Sequence, residues 1–474
     1  MSEHKFLVAG KWRDSKEPLE VLSPYDGGLV GITYRPTEDD VEEAVSAAVE
    51  AVKETGSLPT YRRAEILNCI RDGIMRRKEE LARTITLEAG KPIKASRAEV
   101  DRSIHLMGLA AEEVKRVGGE QFPLDLLESA KGHIAITKRF PIGPILGITP
   151  FNFPINLICH KLAPAIAGGN TFVLKPTSTA PLTALLLAEV VMESGLPEGA
   201  LSVLPCDSGM AEQMVKDDRL KMLTFTGSPR AGWRLKALAG KKKVALELGG
   251  NAAAIVDRDA DLGYAVNRSV YGAFTYSGQT CISLQRLYVH EDVYQPFLDL
   301  LVDQTKALTV GDPMEESTSV GPLITPEAVK RVETRINEAV SGGARAITGG
   351  SPLGDNIIEP TVMTDTKPDM RVNCEEVFGP VVTVNKFSSF ADAVEEVNRS
   401  SFGLQAGVFT NNINRIFLAY RSIDVGGLIV NDVPTFRADN MPYGGVKDSG
   451  MGREGIRYAL EEMTEPRLLV LNLR

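Results

Sequence analysis

A chain of 474 residues is longer than one compact core normally holds, so two or three domains are expected. With 43% hydrophobic and 24% charged residues, the composition is that of a globular protein with ample material for buried sheets. A net charge of −9 argues against a nucleic-acid partner, and no apolar run reaches the roughly 20 residues a membrane helix needs. Five scattered cysteines fit a reducing compartment better than a disulfide framework, and the N-terminus lacks the layout of a signal peptide. The expectation is a soluble, cytoplasmic protein.

Residues 6–12 read as an edge hairpin about a Gly-Lys turn. Thr37 can cap a helix with Asp40 three residues on, and Val41, Ala44, Val45, Ala48 and Val52 follow at helical spacing. One long helical region is expected over about residues 62–88, stopped by Gly90-Lys91-Pro92, and another over about 94–117. Residues 122–141 change character: His133 to Lys138 alternates like an exposed strand, as in a loop hairpin or an oligomer contact. From Gly143 to Gly249, short apolar strands at 145–148, 171–174, 201–204, 222–225 and 244–246 alternate with helices. This predicts an α/β fold with a parallel sheet covered on both faces, and such sheets bind ligands at the C-terminal ends of their strands. A second α/β region starts at Ala253, with strands at 253–256, 286–289 and 381–384. The last apolar strand, 467–473, has no partner nearby in sequence.

The strand ends of the first region carry the polar residues of interest: Thr149-Pro150-Phe151-Asn152, Lys175, Gly227-Ser228 and Glu247-Leu248. Lys175 could hold ribose hydroxyls or a phosphate. Gly227-Ser228 could offer backbone N–H groups to a pyrophosphate, although small residues here are also ordinary turn chemistry. Glu247 lies in the apolar run Val244-Ala245-Leu246-Glu247-Leu248 and reads equally as a general base or as a solvent-facing strand end. Cys281 follows a Ser-Gly-Gln turn at the end of a helix over 265–273. By itself it reads as a small buried hydrophobe. Gly450-Met451-Gly452-Arg453-Glu454-Gly455 matches the dinucleotide pattern G-x-G-x-x-G, but a loop precedes it instead of a strand. It reads instead as a tight loop near a substrate mouth. The five histidines form no metal-ligand spacing, so no metal is expected.

Taken together, the motifs resemble the NAD(P)-dependent aldehyde dehydrogenase superfamily, most closely its lactaldehyde and glyceraldehyde-type members. Leu246-Glu247-Leu248-Gly249-Gly250-Asn251 is similar to the family's glutamate signature, and Phe274 to Cys281 to its cysteine signature. Pro150 to Pro154, Lys175-Pro176, Phe225 to Ser228 and Glu375 to Pro380 match further motifs in the right order. The resemblance implies two parallel-sheet α/β domains and a small β oligomerisation arm. Residues 1–120 and 142–248 would bind the dinucleotide, 249–457 would be catalytic, and 121–141 with 458–474 would form the arm of a homodimer or homotetramer. Cys281 would be the nucleophile, Asn152 would hold the oxyanion, and Glu247 would activate the water that releases the thioester. Members that pass the acyl group to coenzyme A lack that glutamate, so hydrolysis is implied. NAD or NADP would be held by Thr149, Pro150, Phe151, Lys175, Ser178, Gly209, Gly227, Ser228, Leu248, Glu376 and Phe378. Ser178 stands where many NAD-preferring members have an acidic residue, which implies that NADP is accepted.

The resemblance implies a short hydroxyaldehyde as substrate. A semialdehyde is the alternative, with Arg437 as anchor for an anionic tail, although a salt-bridged loop arginine is the plainer expectation for that residue. A non-catalytic structural role on the same fold would go with loss of Cys281, Glu247 or Asn152, and all three are present.

Overall fold

In the computed structural model, which describes residues 2–473, Thr37 caps helix Glu38–Ser57. Its hydroxyl accepts from the Asp40 N–H, and the Asp40 carboxylate accepts from the Thr37 N–H at 2.9 Å. The single helix expected over 62–88 is two, Thr60–Arg76 and Lys78–Ala89, broken at Arg77. Hydrophobic spacing runs through the break, so periodicity alone could not show it. The turn lets Glu88, near the end of the second helix, accept from the N–H groups of Leu182 and Thr183 (2.7 and 2.9 Å) at the start of another helix. Gly90 adopts the left-handed conformation that stops the run, as its position predicts. The next helix, Ile93–Glu113, ends four residues short of the expected 117.

The first region builds an eight-stranded sheet. Its parallel core runs Lys243–Glu247, Met222–Thr226, Ile145–Ile148, Phe172–Lys175, Leu201–Val203. Taken in chain order, these five strands lie in the spatial order 5-4-1-2-3. The direction of winding therefore reverses at Ile145–Ile148, and the crevice beyond its C-terminal end is where such sheets take ligands. The N-terminal hairpin Phe6–Val8 and Lys11–Arg13 completes one edge. Ile145–Ile148 is buried throughout, as a central strand covered on both faces must be. The helix after it, Asn156–Gly168, is also buried along its whole length, including His160 and Lys161.

A seven-stranded sheet carries the second region, in the order Arg345–Thr348, Thr361–Thr364, Val381–Phe387, Leu284–His290, Ala252–Val256, Gln405–Phe409, Gly427–Val430. All neighbours are parallel except the first pair. The strand Thr464–Asn472 pairs antiparallel with His133–Pro141, and Gln121–Pro123 adds a third strand. Among the described residues, no helix is long and apolar enough to cross a membrane.

Candidate active site

A cavity of about 590 Å³ lies where the two large sheets meet. Its wall includes Pro150, Phe151, Asn152, Gly227, Ser228, Leu248, Cys281, Glu376 and Phe378, nine residues singled out by sequence and drawn from both regions. Thr149, Lys175, Ser178, Gly209 and Glu247 are not on this wall.

Cys281 follows helix Leu262–Phe274 and a tight turn, Thr275–Gly278, in which Tyr276 and Ser277 both take positive φ (48° and 56°). Side-chain residues adopt that conformation only when their surroundings force it. Here Tyr276 Oη donates to the Ala89 carbonyl and Ser277 Oγ to the Gly321 carbonyl, each at 2.8 Å. Gln279 is held by the Ile324 N–H and the Pro322 carbonyl. Gly278 has φ +71°, and a Cβ there would lie 2.1 Å from the Gly379 carbonyl oxygen. The strain is thus matched by bonds to two separate stretches of main chain, at Ala89 and at residues 321–324.

Asn152 comes from the switch-point loop, and its Nδ2 donates to the Gln279 carbonyl at 2.9 Å, two residues before the cysteine. An amide carries two N–H groups, which leaves one for an oxygen beside Cys281. The loop is secured from behind. Glu99 accepts from the N–H groups of Ile155 and Asn156 (3.0 and 3.1 Å) and pairs with the buried Lys91. The Lys91 ammonium sits 3.6 Å from the Phe153 ring centre and 4.6 Å from that of Tyr276, tying the asparagine loop to the cysteine turn. Burial pushes the Cys281 thiol up to about 12, opposed by a contact with Tyr443, whose Oη lies 3.0 Å from Sγ.

Glu247 ends its strand beside Thr226 and is 6% exposed, with Oε2 making no hydrogen bond. It lies behind the cavity wall. A Cβ on Gly444 would come within 2.8 Å of Glu247 Oε1, so glycine there gives the carboxylate its place. Residues 450–455 do not line the cavity, but Glu454 bonds Tyr443 and Arg437, which do. Gly450–Met451 pairs antiparallel with Leu246 and Glu247, and packs the strand from its open edge. Neighbouring charges form a buried network. Glu454 accepts from Lys161 (2.9 Å) and Arg437 (2.8 Å), while Asp439 accepts from Arg102 (2.5 Å) and sits 2.9 Å from His160 Nε2. Burial alone would raise Glu454, but its two cations hold it well below the usual carboxylate range. Burial, and then the negative charge of Glu454, push Glu247 well above that range.

The crevice fits a dinucleotide. Thr226 Oγ1, on the cavity wall, is buried without a hydrogen-bond partner. Ser228 Oγ accepts from the Ala231 N–H and caps helix Pro229–Leu238, whose N-terminal end suits a pyrophosphate. Glu376 Oε1 accepts from the Gly250 N–H at 2.9 Å, and a Cβ on Gly249 would be 2.4 Å from Glu376 Oε2. Burial pushes that carboxyl up to about 7. Phe378 meets Phe151 edge to face, and Arg335 bonds the Glu376 carbonyl. Lys175, whose pKa is lowered by burial, stands at a strand end outside the cavity, and Ser178 Oγ donates to the Cys206 carbonyl at 3.3 Å.

Sequence reasoning gave no role to Tyr443 or Lys161, and it did not place Arg102 or Arg268 in a site. The one available signal was charge out of place, His160-Lys161 inside an otherwise apolar helix. Arg437 is the salt-bridged loop arginine expected of it, and it also lines the cavity, with Nε buried and unpartnered.

The Aldehyde dehydrogenase family model matches residues 12–469. The chain is 44% identical to the 3-sulfolactaldehyde dehydrogenase of Priestia aryabhattai, over 100% of this chain and 99% of the relative. Among solved structures, aldehyde dehydrogenase 21 from Physcomitrella patens in complex with the reaction product succinate superposes with a TM-score of 0.98, at 44% identity over 99% of this chain and 98% of the other. Glyceraldehyde-3-phosphate dehydrogenase GapN from Methanocaldococcus jannaschii complexed with NADP gives 0.93, at 36% identity over 97% and 99%.

Proposed function

The chain belongs to the aldehyde dehydrogenase family, and from that premise we propose that it oxidises a short hydroxyaldehyde with an anionic far end to the acid, with Cys281, Asn152 and Glu247 as its catalytic residues. The observation that carries the assignment of roles is the Asn152 amide bonded to the Gln279 carbonyl beside Cys281, on the wall of a cavity shared with Glu376 and Phe378. The Cys281 thiolate attacks the aldehyde carbon, and the carbonyl pair moves to oxygen, where the free Asn152 N–H and the Cys281 backbone N–H stabilise it. Bound NAD(P)⁺ supplies the hydride acceptor for the oxidation that leaves a thioester on Cys281. Glu247 then takes a proton from water as that water attacks the thioester, for which its carboxylate must swing forward from behind the wall.

Lys175 and Ser178 hold the adenosine end of the dinucleotide, with Gly209 nearby. Gly227-Ser228 hold the pyrophosphate, Glu376 and Phe378 the nicotinamide ribose, and Thr149, Pro150, Phe151 and Leu248 the faces between. No carboxylate occupies position 178 to repel a 2′-phosphate, and Arg35 adds positive charge near Lys175, which supports use of NADP⁺. Residues 1–120 and 142–248 form the dinucleotide-binding domain, 249–457 the catalytic domain, and 121–141 with 458–474 the oligomerisation arm.

The anionic tail is favoured by Arg437, Arg102 and Arg268 on the cavity wall, and by the unpartnered Nε of Arg437. A sulfonate or carboxylate on a three- or four-carbon aldehyde suits guanidinium groups that line the same pocket as Cys281. The test is a panel of short aldehydes, with and without an anionic group, assayed with both dinucleotides. Preference for neutral aldehydes would sink the arginine assignment. Product formation that depends on added coenzyme A would sink the hydrolytic step.

The strand Thr464–Asn472 presents Leu468, Leu469 and Val470 consecutively to solvent, which supports its use as a contact between copies in a cytoplasmic homodimer or homotetramer. A monomer in light scattering would count against that.

A further inference from the structure

Tyr443 reaches Cys281 from 162 residues further along the chain, and its hydroxyl lies 3.0 Å from Sγ. Among the described residues, that sulfur is the hydroxyl's one hydrogen-bond partner. The ring is 2% exposed and has a single seat. Its backbone is bonded in both directions to Glu454, with Tyr443 N–H donating to the Glu454 carbonyl (3.0 Å) and Glu454 N–H to the Tyr443 carbonyl (2.6 Å). The Arg437 guanidinium lies 3.7 Å from the ring centre, held there by Glu454. A buried hydroxyl fixed this firmly, with the reacting sulfur as its partner, is more than packing.

We propose that Tyr443 is a further catalytic residue, whose hydroxyl donates a hydrogen bond to the Cys281 thiolate and so favours ionisation of the nucleophile. The inference rests on Cys281 being that nucleophile. A phenol is both donor and acceptor, so it accepts from S–H while the cysteine is a thiol and rotates to donate once the cysteine is a thiolate. The proton lost from Sγ leaves through water to bulk solvent, and Tyr443 keeps its own proton throughout. When the Sγ–C bond forms, the negative charge passes to the carbonyl oxygen, where Asn152 meets it, and the phenol is released from its charged partner. Arg437 over the ring face draws electron density from the phenol and strengthens it as a donor. Burial opposes ionisation at this site, and the phenol is the group in contact with the sulfur that offsets it.

Phenylalanine fills the same space without the oxygen. The test is the pH dependence of Cys281 alkylation by iodoacetamide, followed by peptide mass mapping because Cys69 and Cys374 are exposed. In Tyr443→Phe the apparent pKa of Cys281 rises by about one and alkylation near neutral pH slows about ten-fold, as loss of a hydrogen bond to a charged group predicts. The burst of reduced dinucleotide falls in parallel, while NADP⁺ binding is unchanged. An alkylation profile that superimposes on that of the wild-type protein, in a variant that still binds NADP⁺, overturns the proposal. If Tyr443→Phe does not fold, site-specific 3-fluorotyrosine at 443 keeps the packing and sharpens the donor. The thiol pKa must then fall, and an unmoved value overturns the proposal equally. Aldehyde oxidation by Cys281→Ala would instead sink the nucleophile assignment itself, a failure distinguishable from that of Tyr443.

Discussion

Around Cys281 nearly every constraint is a neutral hydrogen bond to main chain: Tyr276 to Ala89, Ser277 to Gly321, Gln279 to Pro322, Asn152 to Gln279. Around Glu247 burial acts first and charges act after it: Glu454, then Arg437, Lys161 and Arg453. The nucleophile needs a fixed position, and backbone carbonyls drawn from a scaffold supply one, with the buried Lys91–Glu99 pair as the charged exception. The base needs a tuned proton affinity and room to move. Burial and the neighbouring charges supply the tuning, and its Oε2 is tied down by no hydrogen bond. Glu454 keeps its negative charge because two cations touch it, and that charge leaves Glu247 as the carboxyl of the pair that holds a proton.

Substitutions on the two sides should therefore fail differently. The largest effect is expected of Cys281→Ala, which should cut aldehyde oxidation by at least about a thousand-fold. Dinucleotide binding, read by fluorescence titration, should stay intact. Glu247→Gln should slow steady-state turnover by about a hundred- to ten-thousand-fold while a burst of reduced dinucleotide survives in stopped flow. The sign of its pH dependence follows from the raised pKa. The carboxyl is protonated and idle at low pH, and deacylation climbs as pH rises through that elevated value; the glutamine variant should lose the limb. Asn152→Ala should cost about a hundred- to a thousand-fold in the burst phase and leave the shape of the pH profile as it was. If Asn152→Ala reshaped that profile, or Glu247→Gln preserved it, the division between a positioned wall and a tuned corner would be wrong. The smallest effect is expected of Ser178→Glu, outside both: about ten-fold in the ratio of kcat/KM for NADP⁺ over NAD⁺, toward NAD⁺. A wild-type enzyme at least ten-fold better with NAD⁺ would overturn the cofactor reading.

Local signals sufficed wherever one element decides its own shape. Thr37 with Asp40 announces its helix, Gly90 its stop, and the short apolar strands from 145 to 246 their parallel sheet. They failed at Arg77, because hydrophobic spacing continues across the break between the two helices, which nothing in the local pattern marks. Nor did they show that Gly450 packs against the strand carrying Glu247, where a Cβ would lie 2.0 Å from the Leu246 carbonyl oxygen. Tyr443 and Lys161 look unremarkable in sequence. Their meaning depends on what stands opposite them.

The sequence by itself determined the class of the sheets, the order of the motifs and the residue types that chemistry requires, because periodicity and turn residues act over a few neighbours. Only the tertiary structure decided which of those residues share a cavity, which carboxyl of a buried pair keeps the proton, and which hydroxyl faces the sulfur. Proton affinity and hydrogen bonding depend on separations of a few ångströms, and here those separations are set between residues 100 to 300 positions apart in the chain.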